Sequence, residues 1–224
     1  MKLIFNFNKD LLEILLLSLK VNFTALLIAS IIGLPLGALL GSTKFPLRLT
    51  VVSILNTMMS FPPVVIGLLV YLHISRSGPL GWMGLLYTPS AMIVAQIILI
   101  FPIIAALTCQ IIEVLDEEYK ELFKSFSVPK HRAVFAYIFD CRYSLCTVIL
   151  AGLGRAMSEV GAVIIVGGNI DHLTRILTTS IALETSKGNL SMALALGIIL
   201  LFFALIINSG LMLIREKAKR MSYA

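Results

Sequence analysis

Arg155 and Glu159 stand four residues apart in a run that is otherwise almost wholly apolar. That spacing is just over one helical turn, so the two side chains meet on one face and their opposite charges partly offset each other. An ionisable residue at the centre of a bilayer costs roughly 2.5–3.5 kcal/mol on insertion scales, so it normally faces a bundle interior or a water-filled path. The pair therefore reads in two ways, as a structural ion pair or as part of a gated pathway.

A second group of candidates follows in the segment from Val166 to Asn189. Gly167 and Gly168 permit unusual backbone angles, and Asn169, Thr174, Thr178 and Thr179 offer uncharged hydrogen-bond groups. Neutral donors with one or two cations lead an anion through a constriction without trapping it, as a dense basic cluster would. An ordinary polar loop fits the same residues.

A third group lies in the charged stretch 113–142. From 116 to 126 it carries Tyr119, Leu122, Phe123 and Phe126 at helical spacing, which predicts a short surface helix with one apolar face, ended by Ser127, Val128 and Pro129. Such a helix lies on a membrane or fits a groove in a soluble partner, and a solvated connector is the plainer alternative. Gly33, Gly37 and Gly41 recur every fourth residue, a common device for close helix packing.

The elements that must position these groups are set by composition. Of 224 residues, 58% are hydrophobic and 13% charged, far more apolar than a soluble domain. The expectation is an all-α polytopic transmembrane bundle of about five spans, at 21–40, 49–74, 90–112, 143–167 and 190–214, each long enough to cross a bilayer as a helix. Residues 11–20 extend the first helix, and Pro62, Pro63 and Pro102 are potential kinks. No length remains for a second domain, so 1–224 reads as one membrane domain with the loop 113–142 on the cytoplasmic side. No removable signal peptide is expected, since the first apolar run ends without a small-residue cleavage motif.

The net charge of +6 belongs to basic residues that flank apolar runs, which points to membrane orientation and away from nucleic acid. With 113–142 inside, eleven basic residues share its side: Lys44, Arg48, Lys120, Lys124, Lys130, Arg132, Arg142, Arg215, Lys217, Lys219 and Arg220. Six fall outside, namely Lys2, Lys9, Lys20, Arg76, Arg175 and Lys187. The positive-inside bias thus predicts an external N-terminus and a cytoplasmic C-terminus. Cys109, Cys141 and Cys146 match no zinc spacing and are expected as reduced thiols. His73, His131 and His172 are scattered, and no Gly-x-x-x-x-Gly-Lys-Ser/Thr loop occurs. Neither a cofactor nor a catalytic centre is expected, and ATP hydrolysis by this chain is excluded on that reading.

Several motifs go further. Arg142-Tyr-Ser-Leu, then Gly154-Arg-Ala-Met-Ser-Glu-Val-Gly-Ala-Val-Ile-Ile-Val-Gly-Gly-Asn-Ile-Asp, Thr174-Arg, and Thr178-Thr-Ser-Ile-Ala-Leu-Glu-Thr-Ser-Lys-Gly-Asn resemble the permease subunits of type I ABC importers. Within the molybdate, sulfate and tungstate group, the Ile-Ala-Leu-Glu-Thr-Ser-Lys-Gly run is more similar to the tungstate branch. The resemblance implies a homodimer of permeases, two ATP-binding cassette ATPase subunits beneath, and an extracytoplasmic binding protein delivering the anion. It also implies a MetI-like fold. The family's Glu-Ala-Ala docking motif aligns with Glu121, Leu122 and Phe123, with Glu118 one turn before, and Ser127 occupies the place of the motif's Gly. The family's later Leu-Pro falls on Phe139 and Asp140, a departure. The gate implied comprises Arg155, Ser158, Glu159, Asn169, Thr174 and Thr178. A molybdate or sulfate permease, or a secondary anion transporter working without ATP, remains open at this level. A membrane enzyme would need a catalytic cluster that the sequence does not supply.

Overall fold

The chain is described by a computed structural model over residues 9–222, apart from the side chains at positions 130, 131, 214, 215 and 217–222. Lys2, and the side chains of Lys130, His131, Arg215, Lys217, Lys219 and Arg220, which enter the charge count or the histidine reading above, lie outside the described residues.

The described residues fold as helices alone: α1 Lys9–Ser42, α2 Arg48–Met59, α3 Pro63–Ile74, α4 Pro89–Ser125, α5 Lys130–Asp140, α6 Arg142–Ser158, α7 Gly161–Gly167, α8 Leu177–Ser186 and α9 Leu190–Ser222, with one 3₁₀ turn at Gly81–Met83. Three helices, α1, α4 and α9, are long and apolar enough to cross a membrane, and the number rises to five if each of two bent helix pairs, α2–α3 and α5–α6 (bent by 79°), forms one span. Their outward faces are greasy: Leu194, Ile198, Leu201, Phe202 and Leu205 of α9 are all exposed.

α1 and α4 form the central seam. The three glycines spaced four apart make it possible, because a Cβ on Gly33 would stand 2.9 Å from Ile104 Cγ2, and one on Gly41 would stand 2.8 Å from the Cys109 carbonyl oxygen. At Gly37 the added carbon would fall on the Ala105 carbonyl oxygen and 2.7 Å from Thr108 Cβ. Helices meet this closely only where side chains are absent. One side of the seam buries Ala25, Ala29, Ile100 and Ile104 with Leu153 and Ala156 of α6. Leu55 of α2 closes it elsewhere, against Leu40, Ala105 and Cys109.

Two expected spans are not single helices. The run 49–74 is broken between α2 and α3, which meet at 103°. Pro62 and Pro63 explain it: each lacks an N–H, and Pro62 sits extended at ψ 126°, as a residue before proline prefers. The run 143–167 is broken between α6 and α7 at Glu159, whose ψ of 129° is extended. No proline causes this second break.

The stretch 113–142 also departs from expectation. No separate surface helix spans 116–126; α4 continues unbroken from Pro89 through Pro102 to Ser125 and carries those residues as its end. A turn at 126–129 then reverses the chain into α5, giving a helical hairpin. The expected apolar face is split in two. Tyr119 and Phe123 turn inward, with the Phe123 ring 5.2 Å from that of Tyr137. Leu122 and Phe126 turn outward, Phe126 being 74% exposed. Hydrogen bonds from Tyr137 Oη to Asp116 Oδ1 (2.7 Å) and from Tyr119 Oη to Asp140 Oδ2 (2.8 Å) hold the two arms together. Arg48 ties the hairpin's base to the bundle through Glu113 at 3.0 Å and the Leu40 carbonyl at 2.7 Å.

Candidate functional site

Glu159 occupies the α6–α7 break and is 2% exposed. Its extended backbone is held from both sides. Thr178 Oγ1 donates to the Glu159 carbonyl at 2.9 Å, across 19 residues of sequence. Its own carboxylate turns forward, where Oε1 accepts from Ala162 N at 2.9 Å and so satisfies one of the unpaired N–H groups that begin α7. The other oxygen, Oε2, lies 3.6 Å from Arg155 Nη2, and the arginine side chain is 30% exposed. A buried carboxylate with a cation and a backbone donor is compensated on both oxygens, and only its arginine reaches the protein surface.

The neighbouring elements fix this break. Val64, at the start of α3, touches Gly161: a Cβ there would meet Val64 Cγ2 at 2.8 Å. The α2–α3 and α6–α7 breaks therefore lie side by side. Gln96 of α4, fully buried, donates to the Ala156 carbonyl at 3.1 Å and to Asn22 Oδ1 of α1 at 3.2 Å. It thereby gives a second hydrogen bond to a carbonyl of the last turn of α6, which also accepts from Glu159 N at 3.3 Å. Gln96 and Asn22 escaped the sequence reading. Their signal was present as the uncharged amides interrupting two long apolar runs.

Past α7 the chain turns on Gly168 (φ 70°) and Asn169 (φ 50°), left-handed angles that glycine and asparagine tolerate best. Thr174 is fully buried; its hydroxyl donates to the Gly167 carbonyl at 2.5 Å and accepts from Ile170 N at 2.9 Å. Asn169 Nδ2 donates to the Thr179 carbonyl at 3.4 Å, and its buried Oδ1 has no partner among the described residues. Ser18 of α1 accepts from Leu177 N at 2.8 Å, capping α8 from another helix. His172 of the same loop meets Glu13 at 2.9 Å; that hydrogen bond, with the negative charge of Asp171 and Glu13, raises the imidazole pKa above its ordinary value.

Of the six expected pathway residues, the structure brings Arg155, Glu159 and Thr178 together at the break. Asn169 and Thr174 gather at the other end of α7. Ser158 is exposed, its hydroxyl turned back onto the Arg155 carbonyl at 3.1 Å. The hydroxyl protons of Thr174 and Thr178 are both given to backbone carbonyls inside the protomer. Of the five expected docking residues, Glu118, Glu121 and Leu122 are exposed on the outer face of the hairpin, Phe123 is turned inward, and Ser127 forms the turn.

Residues 33–220 match the family described as binding-protein-dependent transport system inner membrane component. The chain belongs to that family. It is 39% identical over 217 residues to the tungstate uptake system permease protein TupB of Peptoclostridium acidaminophilum, covering 97% of this chain and 95% of that one. It is 40% identical over 177 residues to the TupB of Campylobacter jejuni, covering 79% and 72% of the two chains. A probable anion ABC transporter permease protein of Haloferax volcanii is 38% identical over 204 residues, with 89% and 88% covered. As an inner membrane component of a binding-protein-dependent system, this permease is a transport subunit, not an enzyme, and works with a binding protein and an ATPase.

One detail of the permease's hairpin bears on the docking motif. Ser127, aligned with the motif's Gly, has φ 49°, a left-handed angle that costs any residue with a Cβ. The turn thus takes at Ser127 a backbone angle that glycine adopts most readily. Ser127→Gly should raise the melting temperature of the purified permease by the equivalent of about 0.5–1 kcal/mol, and Ser127→Val should lower it by at least as much. A valine variant as stable as the natural chain would mean the turn is not held in this conformation.

Proposed function

We propose that this chain is the permease of an ATP-driven tungstate importer. It pairs with a second copy, is driven by two ATP-binding cassette subunits on the cytoplasmic side, and is supplied by an external tungstate-binding protein. The observation that carries the cargo is the near full-length similarity to a tungstate uptake permease. The basic residues favour the hairpin end, 113–142, as cytoplasmic, with the N-terminus outside. The hairpin is then the surface offered to the motor, where Glu118, Glu121 and Leu122 form the exposed face and Phe123 and Ser127 set its shape.

Alternating access follows from that arrangement. Closure of the ATPases moves the hairpin, the movement passes into the bundle, and the two helix breaks are the points at which the bundle yields. Arg155, Ser158 and Glu159 border the passage at the α6–α7 break. Asn169, Thr174 and Thr178 hold the gate's backbone in shape through the hydrogen bonds they make to it. Reciprocal coupling requires the loaded binding protein to favour the ATP-bound arrangement, so it must also stimulate hydrolysis.

Reconstituted vesicles containing the permease, its ATPases and the binding protein test this directly. Tungstate uptake that needs ATP, and a hydrolysis rate raised by the loaded binding protein, are the expected results. Accumulation by the permease alone, or a hydrolysis rate indifferent to the binding protein, would overturn the scheme. Uptake that sulfate or molybdate competes away better than tungstate would reassign the cargo.

A further inference from the structure

α2 carries a polar face that its position does not explain. Thr50, Ser53, Asn56, Thr57 and Ser60 are all exposed, whereas Leu55 on the opposite side is buried against Ala105 and Cys109. At 100° per residue the five polar positions fall within an arc of about 120°, and Ser53 to Ser60 spans ~10 Å of helix axis. Thr57 returns its hydroxyl to the Ser53 carbonyl at 2.8 Å. Thr50, Ser53, Asn56 and Ser60 make no side-chain hydrogen bond to any described residue. Ser53, Asn56, Thr57 and Ser60 line a shallow hollow with Leu49 and Val52.

Hydrocarbon does not tolerate this face. An amide or hydroxyl without a partner costs roughly 1–3 kcal/mol on protein scales, and more in an alkane, so a row of them facing lipid would oppose insertion of the helix. Water, a ligand or a partner helix must meet them. The row ends at Ser60, in the α2–α3 break, and Val64 just beyond touches Gly161 beside Glu159. Arg155, the cation paired with Glu159 at that break, is partly exposed. The face therefore leads from the hairpin end of the bundle, where the exposed Leu49 shares its arc, to the buried ion pair, presenting neutral donors and no charge.

We propose that the Thr50–Ser53–Asn56–Ser60 face of α2 lines the hairpin-side half of the anion passage and hydrogen-bonds a hydrated tetrahedral dianion. This rests on reading the chain as an oxyanion permease. The hydroxyls of Thr174 and Thr178 are committed to backbone carbonyls, so the α2 face supplies free donors that those threonines do not. Hydroxyl and amide groups suit the task because they replace part of the ion's hydration shell without holding it as a cationic cluster would.

The test uses the complete transporter in vesicles, with Cys109, Cys141 and Cys146 replaced by alanine. Single cysteines are placed at Ser53, Asn56 and Ser60, with Leu55→Cys and Leu68→Cys as buried and lipid-facing references. A charged thiosulfonate reagent should label the three polar positions at least ~10-fold faster than the references, and tungstate should slow the labelling. Labelling no faster than at Leu68, or ready disulfide formation between two copies at Asn56→Cys, would overturn the proposal; the second result would make the face a seam between protomers. If the cysteine variants fail to assemble, Asn56→Leu in the otherwise natural chain decides instead. It should cut uptake per assembled complex about tenfold, the equivalent of ~1.4 kcal/mol, with Asn56→Gln retaining most of it. Undiminished uptake by Asn56→Leu would overturn the proposal. The rate of labelling without anion does not depend on which anion is imported, so a transporter that refuses tungstate but whose three polar positions are labelled at least ~10-fold faster than the references would contradict the cargo and leave the passage standing.

Discussion

Gly37→Leu is expected to yield no assembled permease. The glycine sits where α1 and α4 approach most closely, and a single added carbon would already overlap the Ala105 carbonyl oxygen and stand 2.7 Å from Thr108 Cβ. Backbone atoms cannot step aside as a side-chain tip can, so the helices must separate along the whole seam. Overpacking of a tight core typically costs 1–3 kcal/mol, and four added carbons against backbone place this change at or above about 3 kcal/mol. Gly197→Ala on α9, whose added carbon meets nothing within 4 Å in the protomer, is the matched reference. Size-exclusion profiles and melting curves in detergent read the effect. A leucine variant that elutes and melts like the natural chain would mean that α1 and α4 do not pack as described.

Glu159→Gln should separate transport from folding. Glutamine keeps an oxygen in the place of Oε1, so the Ala162 N–H that begins α7 stays satisfied and the break keeps its shape. What it removes is the negative charge 3.6 Å from Arg155. Because the arginine is partly exposed, the cost to stability stays below the 3–5 kcal/mol of a fully buried broken pair, at roughly 1–2 kcal/mol. The uptake rate per assembled complex should fall at least ~10-fold, since an uncompensated cation then faces the passage and holds the dianion. Glu159→Leu loses the cap as well and should also reduce the yield. If uptake by the glutamine variant simply follows the amount of folded protein, the pair is structural and has no part in the gate.

Much of this architecture was legible in the sequence, for reasons that differ between elements. The long apolar runs located the three helices that can cross a membrane singly, α1, α4 and α9, because the hydropathy of ~20 residues decides whether a helix enters a bilayer; the run 143–167 instead overlaps a bent pair that starts in α5. Hydropathy is blind to direction, however, and a run interrupted at one residue scores like a straight helix. The α2–α3 break had a visible cause in Pro62 and Pro63. The break at Glu159 had none, because the residue is kept extended by the hydroxyl of Thr178, and no local rule reports a hydrogen bond across 19 positions. The boundary at Glu113 failed for the opposite reason. Acidic and basic residues end an apolar run but are good helix formers, so α4 runs on. The apolar face of 116–126 was real, but the hairpin arm α5 covers only Tyr119 and Phe123.

The candidate site was less legible. Asn169, Thr174 and Thr178 were conspicuous as polar residues beside a membrane segment, but composition does not say whether a hydroxyl is free or already spent on a carbonyl. Conversely, the α2 face looked unremarkable inside a long apolar run. Only the burial of Leu55 on the other side shows which way its polar groups point.

The unbroken course of α4 sets the gearing of the machine. From Gln96, which grips the end of α6, to Glu121 on the hairpin is 25 residues, or ~37 Å of continuous rod at the rise of an α-helix. A helix that is unbroken over that length, with Pro102 as its one missing N–H, passes on tilt and twist more readily than a broken one. Pivoted at its middle, it would shift each end by only about 1.6 Å for a tilt of ~5°. A displacement of that size is enough to make or break a hydrogen bond, which would leave the amide clasp at Ala156 as the place where a mechanical input becomes a chemical switch.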